Sequence, residues 1–145
     1  MSARYARILP TLPLYQGDAL AAAEAGGRFD VLVVAAQELR PFETLVKALA
    51  PHRLTVLDAG IDDSDLTPRE ARVAGDAAWY VAEALGRRRR VLVACFAGRN
   101  RSGLVTGLVL KRIGYSADQA IRLIREARGE SALSNPSFVR YLEAK

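Results

Sequence analysis

Residues 91–103, VLVACFAGRNRSG, join the pattern of a buried strand to a loop rich in glycine and arginine. Val91 to Ala94 form a short, continuous apolar run, as in a parallel strand that is covered on both faces. The loop that follows contains Cys95, the one cysteine of the chain, and helical spacing resumes at about Ser102. A strand, a short loop and a helix in this order predict one repeating unit of a parallel α/β sheet.

The same alternation continues along the rest of the chain. Extended runs and stretches of helical spacing follow one another through the 145 residues without an internal repeat or a low-complexity linker. Extended runs occupy residues 6–15, 29–36, 53–60 and 90–95, and helical stretches occupy 17–27, 40–50, 67–86, 102–113, 116–128 and a last one from Asn135. We therefore expect a single α/β domain, residues 1–145, with a central, mostly parallel sheet of about four to five strands flanked by helices.

Two of these helices carry strong start signals. Thr67 is followed by Pro68 at the first helical position and by Glu70 three residues after the cap, which together predict a capping box. Ser116 and Gln119 predict a second capping box by the same spacing. Both helices should therefore begin at defined residues.

Composition excludes several classes of protein. A single cysteine cannot form an internal disulfide, and with His52 as the only histidine the spacing of a metal site is absent. The formal net charge is +5, but four positive charges stand together at Arg87–Arg90, so the basic character is local. No apolar run reaches the ~18 residues of a spanning helix, and the first residues lack the apolar core of a signal peptide.

We accordingly expect a cytoplasmic protein that needs no metal or other cofactor. Neither a nucleic acid nor a membrane is expected as a partner, because the positive charge is confined to one short run. The sequence leaves the oligomeric state open, and a monomer is compatible with it.

The loop after Cys95 has the composition of an anion-binding site. Backbone N–H groups at a helix N-terminus point outward without partners and carry about half a positive charge, so a loop wound around that end binds anions. Gly98 lets the backbone approach the anion closely, and Arg101 offers a planar, two-pronged donor to phosphate oxygens. The residues expected to hold a phosphate are Phe96, Ala97, Gly98, Arg99, Asn100 and Arg101.

Cys95 itself has two interpretations. A lone cysteine at the end of a strand is commonly a small, buried hydrophobic residue. Beside an arginine at a helix N-terminus, however, the thiolate is favoured, and the thiolate is the reactive form. A thiolate on the floor of an anion site can attack a bound phosphoryl group, and Ser102 can donate a hydrogen bond to the sulfur as it leaves. The arginine, the glycine and the helix around Cys95 favour this second interpretation.

The run CFAGRNRSG, residues 95–103, resembles the signature of the cysteine phosphatases, Cys-x5-Arg followed by Ser or Thr. With its glycine and its Ser-Gly ending it looks like the dual-specificity branch of the protein tyrosine phosphatase superfamily, in its compact bacterial type. RILPTLPLYQGD (7–18) and ALSNPSFVRYLE (132–143) are similar to the family's first strand and last helix. The family usually has His before the nucleophile, where it helps to order the loop and tune the thiolate, but this chain has Ala94.

The resemblance also implies a general acid on a separate loop that precedes the cysteine. The acidic loop AGIDDSDL, residues 59–66, follows a predicted strand and should lie on the same edge of the sheet. Alignment with the family pattern favours Asp63 as the acid, and later as the base that activates water, with Asp62 as the alternative. The resemblance further implies that Asn135 braces the cysteine loop from the last helix.

The four arginines at Arg87–Arg90 stand at the start of the strand that Cys95 ends. Five residues of strand span roughly 16 Å, so this run should lie near the opposite edge of the sheet. We expect it to be a solvated turn or a docking patch for something acidic. Arg99, inside the loop, is the better candidate for contacts outside the phosphate.

Two functions of different class are compatible with these residues. The first is a metal-independent phosphomonoesterase in which Cys95 attacks, Arg101 and the loop amides hold the phosphoryl oxygens, and Asp63 protonates the leaving group. Its expected substrates are phosphotyrosine or phosphoserine and phosphothreonine in proteins. A phosphoinositide is less expected, because Phe96 and not a basic residue follows the cysteine.

The second function is a phosphoprotein-binding module with weak or no turnover. It is motivated by Ala94, because a loop that keeps its anion site and lacks the tuning histidine can bind without reacting. A sulfurtransferase or an arsenate-type reductase ranks below both, since such reductases usually need a second thiol and the chain has one cysteine.

Overall fold

The computed structural model describes residues 4–36 and 53–144, and within them the chain forms five strands and five helices. The helix predicted at 40–50 and His52 lie outside the described residues. The strands are β1 (Tyr5–Arg7), β2 (Leu14–Gly17), β3 (Val31–Ala36), β4 (Thr55–Ile61) and β5 (Val91–Ala94). The helices are α1 (Ala19–Ala23), α2 (Pro68–Gly86), α3 (Arg101–Arg112), α4 (Ala117–Arg128) and α5 (Pro136–Ala144).

The described strands form one sheet in the order β1-β2-β5-β3-β4. β2, β5, β3 and β4 run parallel to one another, and β1 pairs antiparallel with β2. The prediction of a mostly parallel sheet flanked by helices is therefore confirmed. Because the parallel strands point the same way, their carboxyl ends lie along one edge, at Gly17, Ala36, Ile61 and Ala94.

The stretch 6–15, predicted as one extended run, belongs to two strands instead. β1 ends at Arg7 and β2 begins at Leu14, and the two pair antiparallel. Pro10 and Pro13 lie between them. Proline fixes φ and has no N–H to donate to a neighbouring strand, so the chain turns back here rather than continuing the sheet.

The first helix is also shorter than predicted, because α1 ends at Ala23 and not at Gly26-Gly27. The N–H of Glu24 donates to the carbonyls of both Leu20 and Ala21, each at 3.2 Å. Hydrogen bonds shared with the third preceding residue tighten the last turn of a helix and end it.

Both predicted capping boxes are present. Oγ1 of Thr67 accepts from the N–H of Glu70 at 3.2 Å, and the Glu70 carboxylate accepts from the N–H of Thr67 at 3.2 Å. Ser116 and Gln119 make the same reciprocal pair at 3.2 and 2.9 Å. α2 therefore begins and ends where the sequence predicts, whereas α3 begins at Arg101, one residue earlier than expected.

Helices cover both faces of the sheet. On one face, residues of α1 and the turn after it pack against β3 and β5: Ala21, Ala22, Ala25 and Phe29 against Leu32, Val34, Leu92 and Ala94. On the other face, the remaining helices cover Val31, Val33, Val91, Val93 and Cys95. Ala94 and Cys95 thus face opposite sides of the sheet. Across the described residues, no helix has both the length and the apolar character needed to cross a membrane.

Candidate active site

The cysteine loop and the acidic loop meet at the carboxyl edge of the parallel strands. Cys95 directly follows β5, and Asp63 follows β4 by two residues. A cavity of about 170 Å³ lies between the two loops. Its lining consists of Asp63, Cys95, Ala97, Arg99, Asn100, Arg101, Ser131 and Ser134.

A larger groove of about 990 Å³ lies between α2, α3 and α5. Its described lining includes none of the predicted site residues. Size alone therefore does not locate the site, and the chemistry of the lining favours the smaller cavity. In residues 4–36 and 53–144, no three His, Cys, Asp or Glu side chains are grouped so that they can hold a metal ion.

The loop after Cys95 turns its carbonyl groups outward. Each carbonyl from residue 96 to residue 99 accepts a hydrogen bond from a group outside the loop. The donors are the N–H of Ala19 to Phe96 (3.1 Å), Nη2 of Arg128 to Ala97 (3.4 Å), Nε of Arg128 and Nε2 of Gln16 to Gly98 (3.0 and 3.1 Å), and the N–H of Leu133 to Arg99 (3.2 Å). In a planar trans peptide the following N–H points the opposite way, so the amides of this loop turn inward.

One of these inward-facing amides contacts the sulfur of Cys95. The N–H of Gly98 donates to Sγ of Cys95 at 3.2 Å, and the hydroxyl of Ser102 also lies 3.2 Å from Sγ. Cys95 is 2% exposed, so the thiol forms the floor of the cavity. These distances place Ser102 where the sequence predicts a donor to the departing sulfur.

Arg101 is the first residue of α3 and is 7% exposed. Its side chain lines the cavity, and Nη1 lies 3.4 Å from the carbonyl oxygen of Ile61, the last residue of β4. The side chain of Asn100, the cap residue of α3, turns to Asp63 and Ser134 instead of capping its own helix. The N-terminus of α3 therefore faces the cavity together with a guanidinium group.

The structure places Asp63, rather than Asp62, in the lining of this cavity. The two carboxylate oxygens of Asp63 accept from Nδ2 of Asn100 at 3.1 Å and from Nδ2 of Asn135 at 2.8 Å. The N–H of Asp62 donates to the carboxylate of Glu70 at 2.8 Å. Of the two candidate acids, Asp63 is thus the one that shares the cavity with Cys95.

Asn135 contacts both loops: its side chain holds the acidic loop, and its backbone N–H donates to Oδ1 of Asn100 in the cysteine loop at 3.3 Å. Its Nδ2 donates to Asp63 and to the carbonyl of Ser64 at 3.0 Å. Its Oδ1 accepts from the N–H of Ser137 at 2.9 Å in the first turn of α5, so only the amide nitrogen is left to reach outward. The cysteine loop is joined to this region by Asn100, whose Oδ1 accepts from the N–H of Ser134 at 2.7 Å.

Glu70 fixes the start of α2 and the acidic loop together. One carboxylate oxygen accepts from the N–H of Asp62, and the other accepts from the N–H and the hydroxyl of Thr67. Burial acts to raise the pKa of Glu70, but the hydrogen bonds from Asp62 and Thr67 outweigh it and lower the pKa below its usual value. The ionised carboxylate of Glu70 is therefore part of what holds the loop that contains Asp63.

Two predicted phosphate-binding residues differ in what their side chains do. Phe96 is 60% exposed and its side chain lies outside the cavity, so only its backbone belongs to the loop's hydrogen-bonding pattern. Arg99 is exposed and lines the cavity. Its position fits the expected contacts beyond the phosphate.

Arg87–Arg90 lie at the amino edge of the sheet, where β5 begins. Arg90 pairs with Asp30 through Nε and Nη2, each at 3.2 Å, and its N–H donates to the same carboxylate at 2.8 Å. These side-chain and backbone hydrogen bonds from Arg90 lower the pKa of Asp30. The arginine run is therefore remote from Cys95, as the strand length predicts.

The sequence analysis missed two serines of the cavity lining, Ser131 and Ser134, and three residues that hold the loops: Gln16, Glu70 as a loop contact, and Arg128. Gln16 stands in an otherwise apolar strand, and this position was a usable signal in the sequence. A polar side chain in a buried strand needs a hydrogen-bond partner, and Gln16 is fully buried. Arg128 ends an amphipathic helix, where arginine is common on the solvent side. Its burial could not be read from that position.

The described fold is that of the dual-specificity and tyrosine phosphatases of known structure. Tk-PTP in its active form matches with a TM-score of 0.78 and 18% identity, over 100% of this chain and 99% of that one. Human DUSP28 matches with 0.76 and 22%, over 99% and 95%. PTPMT1 in complex with PI(5)P matches with 0.74 and 18%, over 98% and 94%. No family model and no curated protein sequence matches the chain.

Proposed function

We propose that this protein is a metal-independent phosphomonoesterase that acts through a cysteinyl-phosphate intermediate. The observation that supports it best is the series of outward carbonyls at residues 96–99, which turns the loop amides toward the buried sulfur of Cys95. A phosphoryl dianion fits such a site, because the amides and Arg101 donate to its oxygens where charge develops. The cavity thus combines an anion site with a nucleophile on its floor.

In the first step, the thiolate of Cys95 attacks phosphorus in line with the leaving oxygen. The S–P bond forms, the bond from phosphorus to the leaving oxygen breaks, and Asp63 gives its proton to that oxygen. In the second step, water attacks phosphorus and the S–P bond breaks. The Asp63 carboxylate takes the proton of this water, inorganic phosphate leaves, and Ser102 donates a hydrogen bond to the released thiolate.

The substrates we propose are phosphotyrosine, phosphoserine or phosphothreonine in proteins. The cavity of about 170 Å³ is lined mainly by polar side chains among the described residues, and the exposed Arg99 can meet a second anionic group near the phosphate. PTPMT1 was solved with the lipid PI(5)P, so this lipid belongs in the substrate panel beside the phosphopeptides.

The first experiment measures hydrolysis of p-nitrophenyl phosphate in the presence of a chelator. We expect turnover in the wild type and a loss of about 10⁴-fold or more in Cys95→Ser, because the hydroxyl is a far weaker nucleophile at neutral pH. Ser102→Ala should retain the first phosphoryl transfer and slow the second step. Full activity of Cys95→Ser, or loss of activity with chelator, would overturn the proposal.

A second experiment assigns the acid by comparing Asp63→Asn with Asp62→Asn. Asp63→Asn should lower kcat by about 100-fold on a substrate with a basic leaving group, and much less on p-nitrophenyl phosphate, whose leaving group needs little protonation. Asp62→Asn is the matched neighbour and should stay close to the wild type on both substrates. Equal effects of the two substitutions would contradict the role of Asp63.

The alternative function, a phosphoprotein-binding module, is favoured by one feature of the cysteine loop. Ala94 stands where the family that the sequence resembles usually has histidine, and it is fully buried on the face of the sheet away from Cys95, so its methyl group donates no hydrogen bond to the loop. A loop that keeps its anion site without this histidine can bind phosphopeptides without turnover. Saturable phosphopeptide binding by a wild type that hydrolyses none of the substrates would establish this alternative.

A further inference from the structure

Two buried polar side chains from distant parts of the chain meet at one carbonyl group of the cysteine loop. Gln16 in β2 is fully buried, and Arg128 at the end of α4 is 7% exposed. Nε2 of Gln16 and Nε of Arg128 lie 3.1 and 3.0 Å from the carbonyl oxygen of Gly98. Burying an amide or a guanidinium is unfavourable unless it is hydrogen-bonded, so these contacts hold the loop and the two side chains in place together.

Arg128 also reaches the preceding carbonyl, because its Nη2 lies 3.4 Å from the oxygen of Ala97. One guanidinium thus holds two consecutive peptide groups by their oxygens. The N–H of the first of these peptides belongs to Gly98, and it donates to Sγ of Cys95 at 3.2 Å. The N–H of the second belongs to Arg99 and is turned to the same side by the planarity of the peptide bond.

The side chain at position 94 cannot donate hydrogen bonds to the carbonyl groups of the cysteine loop. Ala94 is fully buried on the opposite face of the sheet, among the alanines of α1, and a methyl group donates no hydrogen bond. The histidine expected there by resemblance would order the loop from that position. Among the described residues, the side chains that donate to the loop's carbonyls are Gln16 of β2 and Arg128 of α4.

We propose that Gln16 and Arg128 are the positioning residues of the phosphate loop and, through it, of the Cys95 thiolate, in place of the histidine absent at position 94. This inference deepens the proposed function and rests on it for its catalytic consequence. Its structural consequence, an ordered anion site around the Cys95 sulfur, is measurable by phosphate binding and by the reactivity of Cys95 whether or not the protein turns substrate over.

The two residues act differently, because only Arg128 is charged. Burial lowers the pKa of its guanidinium, Asp18 and Cys95 act to raise it, and Arg99 acts to lower it. Arginine nevertheless stays protonated in proteins, so Arg128 brings a cation toward the sulfur. The charged groups around Cys95 in the described cavity are Arg99, Arg101 and Asp63. Arg128 therefore adds both order and charge, whereas Gln16 adds order alone.

The test uses the fact that Cys95 is the only cysteine, so that alkylation with iodoacetamide reports on this residue alone. The rate is measured against pH, with and without inorganic phosphate as a protecting ligand. The variants Arg128→Met and Gln16→Met keep much of the buried volume. The variant Arg128→Lys keeps the charge and loses the planar guanidinium that donates to two carbonyl groups. Arg122→Met, at an exposed arginine on the same helix, is the control.

We expect Arg128→Met to raise the pH of half-maximal alkylation by about one unit or more and to weaken phosphate protection by at least ~10-fold. Arg128→Lys should keep the pH of half-maximal alkylation close to that of the wild type and lose phosphate protection. Gln16→Met should weaken protection with little change in that pH. On an active wild type, kcat/KM of Arg128→Met should fall by about 100-fold, and Arg122→Met should match the wild type throughout.

Wild-type phosphate protection in both Arg128→Lys and Gln16→Met would overturn the inference. Should Arg128→Met fail to fold, these two milder variants decide it. Shifts in alkylation and protection in a protein without turnover would support the inference while the proposed function fails. If the wild type turns substrate over, but alkylation and phosphate protection in Arg128→Met, Arg128→Lys and Gln16→Met match the wild type, the proposed function stands and the inference fails.

Discussion

At the scale of the residue, Gly98 packs the cysteine loop directly against the end of β2. Its N–H donates to the Cys95 sulfur and its carbonyl accepts from Gln16 and Arg128. Its φ is +71°, and a Cβ there would lie 2.5 Å from the carbonyl carbon of Gly17. No side chain can be added without moving the loop off the end of β2, so this glycine sets the depth of the anion site.

Gly98→Ala should therefore lower the free energy of unfolding by about 2–4 kcal/mol, from the left-handed backbone and the clash with Gly17. Phosphate binding should be lost in the same variant, because the amides no longer face inward. Gly75→Ala is the matched control, since a Cβ there meets nothing within 4 Å and the residue lies inside α2. We expect the free energy of unfolding of this control, measured with urea, to rise by about 0.5–1 kcal/mol. Equal stabilities of the two variants would contradict this account of Gly98.

At the scale of the element, the start of α2 and the acidic loop form one hydrogen-bonded unit. The capping box was predictable because its residues lie within one helical turn, and Thr67 and Glu70 pair as the spacing requires. The second oxygen of Glu70 was not predictable, because it binds the N–H of Asp62 eight residues away along the chain. Local spacing thus predicted the helix boundary and missed the contact that fixes the acidic loop.

This unit gives a pH dependence of stability with a definite sign. The pKa of Glu70 is lowered below 4.5, so its stabilising effect is present above that pH and is lost as the pH falls through the folded-state value. Glu70→Gln should lower the melting temperature at neutral pH, by an amount equivalent to about 1 kcal/mol, and much less in acid. The measurement is thermal unfolding against pH, with Glu83→Gln, at an exposed position on the same helix, as the control. A Glu70→Gln deficit that grows in acid would contradict this assignment.

At the scale of the whole molecule, the cavity is assembled from segments that are distant in the sequence. The alternation of strands and helices predicted the sheet, and the Cys95–Arg101 spacing predicted the loop, because both signals are contiguous. Gln16 and Arg128 lie 82 and 30 residues from the carbonyl that they share, and Asn135 lies 72 residues from Asp63. Such contacts depend on how the helices pack on the sheet. The double strand at 5–17 was missed for a related reason, since its pairing is a tertiary contact.

Because so many elements meet at the loop, an anion bound there should stabilise the entire fold. A ligand at 100 times its dissociation constant adds about 2.7 kcal/mol, which corresponds to a rise of several degrees in melting temperature for a domain of this size. We expect tungstate or phosphate to produce this rise in the wild type and to lose most of it in Arg101→Ala. Arg87→Ala, on the opposite edge of the sheet, should keep the full rise. The comparison uses the ligand-induced change, so a lower starting stability of Arg101→Ala does not affect it. An equal rise in both variants would mean that the anion binds away from Cys95.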